Sequence, residues 1–140
     1  MAAGACLPAL AKNALPQVEV YRSPTCGCCG AWVDHLKAAG FAVKVIEVQD
    51  TAAARRKFGL PDRFGSCHTG IVAGYVVEGH VPAADVKRLL AAKPIAIGLA
   101  VPGMPIGSPG MEVGGARDAY DVLLIDKNGR ETVFVHYPKT

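Results

Sequence analysis

Val18-Glu-Val-Tyr-Arg22 alternates apolar and polar residues, the period of a half-buried strand. The period then lengthens. Trp32, Val33, Leu36 and Ala39 recur at helical spacing before Gly40, which predicts a helix. Alternation resumes over Phe41 to Val48, so the first two strands are expected to be parallel, a βαβ unit. Asp50 or Thr51 can cap a short helix over Ala52 to Phe58, closed by Gly59 with Pro61 beyond. Arg55, Arg56 and Lys57 fall in its last turn, where cations complement the helix dipole, and are expected on a solvated face. Ile71-Val-Ala73 and Tyr75-Val-Val77 flank Gly74 and predict a hairpin. Pro82 opens a helix over Ala83 to Ala92, with Val86, Leu89 and Leu90 on one face and Pro94 as its stop. From Pro94 to Arg117 the chain is rich in proline and glycine and reads as a long loop, ordered by its prolines. Tyr120 to Asp126 and Glu131 to Tyr137 then flank Asn128-Gly129, a strong hairpin signal.

Composition narrows the class. With 140 residues, 51% hydrophobic and 19% charged, the chain is long enough for one domain with a substantial core. The net charge of +3 is mild and aromatics make up only 6%, without a basic run interleaved among them, which argues against nucleic acid as a partner. No stretch approaches the roughly 20 apolar residues of a membrane span. Ala2 to Ala11 is small and apolar, and Ala9-Leu-Ala11 offers a cleavage-like signal before Lys12, although a positive n-region is missing. The expectation is a signal peptide remnant with linker over residues 1–17, so that Cys6 is lost from an exported chain. Residues 18–93 would then form the core and 94–140 a C-terminal extension within the same globular unit, expected as a monomer.

The chemistry concentrates in Ser23-Pro-Thr-Cys-Gly-Cys-Cys-Gly30, where Cys26, Cys28 and Cys29 form a C-x-C-C run between a strand and the first turn of a helix. Unpaired backbone N–H groups and the helix dipole favour thiolates there. A thiolate serves either disulfide exchange or a soft metal. Cys26 and Cys29 suit a thiol–disulfide oxidoreductase, in which Cys28 is an awkward third sulfur. Metal binding uses every sulfur: thiolates and thioethers select Cu(I), zinc or iron–sulfur centres. Four sulfurs could hold zinc as a structural module. The crowding of the thiols, with His68, Met104 and Met111 elsewhere in the chain, fits copper better, as Cu(I) and as more than one ion. The order strand, cysteine turn, helix, strand, helix, hairpin, helix is that of a thioredoxin-like α/β domain. By that analogy Cys67 and His68 stand opposite the cysteine turn, where such folds place a cis-proline. Each residue also has a plainer role: a disulfide for Cys67, a loop hydrogen bond for His68, gap-filling for Met104 and Met111. His35 reads as a solvated helix residue, and His80 and His136 as structural, with His80 the better outside candidate for a ligand.

Four separated motifs, Thr25-Cys-Gly-Cys-Cys-Gly30, Ser66-Cys-His-Thr69, Gly79-His-Val-Pro82 and Val101-Pro-Gly-Met-Pro-Ile-Gly-Ser-Pro-Gly-Met-Glu112, together resemble the CopG-type C-x-C-C family of Gram-negative bacteria. The resemblance runs from about Val18 to Tyr137. It implies a thioredoxin-like domain whose C-terminal Pro/Gly-rich loop and β-hairpin extension help bind metal. It also implies a periplasmic protein of copper resistance that interconverts Cu(I) and Cu(II), with a copper efflux or delivery protein as partner. Carried over residue by residue, the metal site would comprise Cys26, Cys28, Cys29 and Cys67, with His68, Met104 and Met111.

Overall fold

The computed structural model describes residues 14–140. The signal-peptide reading of the N-terminus and the fate of Cys6 lie outside those residues. Seven strands form one mixed sheet: β1 (Val18–Arg22), β2 (Val43–Glu47), β3 (His68–Val72), β4 (Tyr75–Gly79), β5 (Gly98–Val101), β6 (Tyr120–Ile125) and β7 (Glu131–Tyr137). Three helices accompany them: α1 (Gly27–Ala38), α2 (Thr51–Lys57) and α3 (Ala83–Ala92). The strand order is β2-β1-β3-β4-β5-β6-β7, with β1/β2 and β4/β5 parallel and the other pairs antiparallel. Among the described residues no helix is long and apolar enough to cross a membrane.

The apolar pattern explains the elements. Trp32, Val33 and Leu36 of α1 pack with Val18 and Val20 of β1, Val77 of β4 and Val86 and Leu89 of α3 in the main core. Asp50 caps α2 by accepting a hydrogen bond from the Ala53 N–H (3.2 Å). Ala73 and Gly74 both take positive φ in the tight β3–β4 turn, which glycine tolerates and alanine resists. Two expectations need correction. The segment read as loop contains a strand, β5, all four residues of which are buried. A strand covered on both faces loses its alternation, and this one is too short for its apolar run to stand out. Its insertion beside β4 makes the C-terminal hairpin part of the same sheet.

The second correction concerns Arg55, which is buried at 7% exposure rather than solvated. Its Nε donates to Glu78 on β4 (2.9 Å), and its Nη1 to Asp62 (3.3 Å). Glu78 is fully buried, and its carboxylate also accepts from the Ser66 N–H (2.8 Å) and the Thr69 hydroxyl (2.6 Å). A charge at that depth persists only when its oxygens are occupied, as here. The pair ties α2 to the turn preceding β3. The pairing directions bring the ends of β1, β4 and β5 and the start of β3 to one end of the sheet. Every candidate site residue stems from that end.

Candidate metal centre

Cys26 occupies the N-cap position of α1 with extended backbone and makes no side-chain capping bond, so its sulfur is free for other chemistry. Cys29, one turn further on, is fully buried, whereas Cys26, Cys28 and Cys67 are partly exposed. Cys26 and Cys29 are joined as a disulfide, their Cα atoms 5.5 Å apart, while Cys28 and Cys67 remain free. The two distant turns converge. Cys28 Sγ lies 3.5 Å from Cys26 Sγ and 3.5 Å from Cys67 Sγ. All four sulfurs fall within 4.8 Å of one another.

The Pro/Gly-rich loop closes over this nest. Met104 Sδ stands 3.7 Å from Cys28 Sγ. Met111 is engaged through its backbone instead: its N–H donates to Ser108 and its carbonyl accepts from Gly107, closing the turn. Gly110 is where the loop presses hardest. Its φ is +90°, and a Cβ there would meet His80 Nδ1, the Trp32 nitrogen and the Cys28 carbonyl at 3.0–3.1 Å. A glycine is therefore required for the loop to reach the helix start.

Two histidines complete the arrangement: His68, and His80, which the sequence alone marks as structural. His68 Nε2 faces the Gly79 carbonyl (2.8 Å), and His80 Nδ1 faces the Pro109 carbonyl (2.7 Å). A carbonyl only accepts, so each of these nitrogens carries the proton. Burial, followed by neighbouring His80, pushes His68 down to about 3, and burial also lowers His80. Both rings are thus neutral, and each turns a bare nitrogen to Cys67 Sγ: His68 Nδ1 at 3.3 Å and His80 Nε2 at 3.2 Å. The Cys67 thiol, pushed up to about 12 by burial and then by Cys28, offers a single proton. One bare nitrogen is left without a donor, a deficit that a cation would fill. Soft sulfur and imidazole donors in this number suit a soft metal. Trp32 stacks beneath His68 (4.4 Å between centroids) and donates its indole N–H to the Val81 carbonyl (2.9 Å).

The remaining histidines stand elsewhere. His35 Nε2 accepts from the Ala83 N–H at the start of α3 (3.0 Å), and His136 pairs with Asp121 on the exposed edge (2.6 Å). Cys26, Cys28, Cys29, Cys67, His68 and Met104 are thus gathered in one place, and His80 joins them. The sequence signal for His80 was its position directly after β4, two residues before Pro82. Its orientation, however, depends on a backbone carbonyl 29 residues later.

Comparison with known proteins follows the same residues. The family model described as "Protein of unknown function, DUF411" matches residues 64–111, a span that holds Cys67, His68, His80, Met104 and Met111. No curated protein matches the chain. Two solved structures do, both of a copper resistance protein, copG. Its form 2 is 45% identical, covers 89% of this chain and 99% of that one, and superposes with a TM-score of 0.85. Form 1 is 46% identical over 88% of this chain and 98% of that one, with a TM-score of 0.83.

Proposed function

The chain belongs to the CopG-type family, and on that premise we propose that it is a periplasmic copper-binding protein of copper resistance. Copper is its cargo, held as Cu(I) and as more than one ion at the C-x-C-C turn with Cys67. Once the Cys26–Cys29 bond is reduced, Cys26, Cys28, Cys29 and Cys67 supply thiolates, Met104 a thioether, and His68 and His80 their bare nitrogens; Met111 closes the loop that carries Met104. Interconversion of Cu(I) and Cu(II) before hand-over to an efflux or delivery protein fits such a site, on a monomer. The strand, cysteine turn and helix of β1–α1, facing Cys67 before β3, support reading residues 18–93 as a thioredoxin-like core and 94–140 as its site-completing extension.

One observation carries this reading: Cys67, 39 residues from Cys28 in sequence, meets it at 3.5 Å with two unprotonated imidazole nitrogens against the same sulfur. A structural disulfide framework has no use for those nitrogens. Zinc would also accept such donors, so the test is metal-specific. Reduced protein is loaded anaerobically with Cu(I), dialysed, and analysed for metal and by circular dichroism. Cys28→Ser and Cys67→Ser are expected to fold but to hold copper at least about tenfold more weakly, since even outer partners of metal ligands are worth that much. Unchanged copper stoichiometry in Cys28→Ser would defeat the proposal. A colourless protein carrying one zinc per chain, and unfolding when it is removed, would replace it with a structural module.

The Cys26–Cys29 disulfide favours a second reading, a thiol–disulfide oxidoreductase. Insulin reduction that persists in Cys28→Ser and in chelator would support it.

A further inference from the structure

Cys28 is superfluous to a C-x-x-C redox pair, yet Cys26 and Cys29 are bonded, as such a pair would be. The disulfide divides the sulfurs into two sets, bonded and free, although Cys28 Sγ lies 3.5 Å from both Cys26 and Cys67. Cys26 and Cys29 face each other across one helical turn, at a Cα separation ordinary for a disulfide. Cys28 and Cys67 stay free at 3.5 Å, with Met104 against the first and two bare imidazole nitrogens against the second. When the first pair is oxidised, a complete set of soft donors is left standing. Oxidation therefore does not empty the site.

We propose that the nest is a thiol-driven cupric reductase, in which Cys26 and Cys29 supply the electrons and Cys28 and Cys67, with Met104, retain the Cu(I) that forms. The inference rests on the reading of copper as cargo. In one turnover the two thiols lose two protons to water and two electrons to two Cu(II) ions, giving one Cys26–Cys29 bond and two Cu(I). Regeneration needs a small or protein dithiol. Its thiolate attacks Cys26, because Cys29 is fully buried and Cys26 is not. Cys29 leaves as a thiolate at the start of α1, where the helix favours it. The second thiol of the reductant then resolves the mixed disulfide and releases Cys26, so that the reductant leaves as a disulfide. Cys28 thereby gains a purpose: it keeps a sulfur beside Cys67 after its two neighbours have been spent.

The test uses the full chain, with all four site thiols reduced and oxygen excluded. Cu(II) is added in steps while its paramagnetic resonance signal, the thiol count and the disulfide map are followed. The expected result is that two Cu(II) signals vanish for every two thiols lost, and that peptide mapping finds Cys26 joined to Cys29. In Cys26→Ser and in Cys29→Ser the Cu(II) signal should persist. A bond mapped to Cys28 and Cys67, or a persistent Cu(II) signal with Cys26 and Cys29 still thiols in the wild type, overturns the inference without need of any variant. Cu(I) supplied directly separates the two levels. If the wild type retains Cu(I) but does not reduce Cu(II), only the reductase falls; if it retains none, the copper-binding reading falls with it.

Discussion

Replacing Glu78 with alanine should be among the most damaging single changes in this protein, although the residue touches no sulfur. Its carboxylate is fully buried and accepts from Arg55, Ser66 and Thr69 at 2.6–2.9 Å. Burial pushes that carboxyl up, while bonds from Thr69, Ser66 and Arg55 pull the other way. Removing one partner of a buried ion pair costs about 3–5 kcal/mol, because the other charge stays behind. Arg55 keeps Asp62, which is half exposed and a weak substitute, so the lower end of that range applies to the charge. The orphaned Ser66 N–H and Thr69 hydroxyl add about 1 kcal/mol each. A loss of about 4–5 kcal/mol is a large part of the roughly 5–15 kcal/mol that holds a domain together. It would lower Tm by roughly 10 °C or more.

Urea unfolding of the metal-free, reduced protein measures this directly, and a cycle with Arg55→Met isolates the pair. The double variant should be less unstable than the sum of the two single changes, by well over about 0.5 kcal/mol. Ser66 adjoins Cys67, so a freed turn should also let Cys67 react faster with a thiol reagent. A loss below about 1 kcal/mol in Glu78→Ala, or additive single changes, would show that the buried pair does not hold the turn.

Two further outcomes follow from the same geometry. At Gly98 an added Cβ would overlap the Val76 carbonyl oxygen, so Gly98→Ala must push β5 from β4 and should cost about 3 kcal/mol, at the upper end of overpacking; a wild-type urea midpoint would refute it. His68 is neutral in the fold down to about pH 3, whereas an unfolded histidine takes a proton near pH 6.5. Between those values the unfolded state binds more protons, so stability of the metal-free protein should fall by a few kcal/mol as pH drops through that window. Unfolding midpoints flat from pH 6.5 to 4 would contradict a buried neutral ring.

The sequence made some of this legible and hid the rest for physical reasons. β1 and α1 announce themselves because each has one buried face, so that periodicity survives in the residue order, while the hairpins are marked by their turns at Gly74 and Asn128-Gly129. β5 has both faces covered, and Gly98-Leu-Ala-Val101 shows no alternation to read. A cation at a helix end is usually solvated; Glu78 on β4, 23 residues on, together with Asp62 makes burial of Arg55 tolerable. The cysteine turn was visible through spacing alone, and Cys67 through the order of elements. His80 differs in kind. What turns its bare nitrogen to Cys67 is the carbonyl of Pro109, and a carbonyl belongs to every residue and so leaves no trace in sequence.

The tie between His80 and Pro109, together with the place of β5 inside the sheet, sets a limit on how far this chain can be shortened. A fragment ending at Lys93 would expose the raw edge of β4 and leave the His80 ring free to rotate and to take either tautomer. Anyone seeking a minimal copper peptide from the C-x-C-C turn would find that the last third is not an ornament to be trimmed. It is what aims the imidazole.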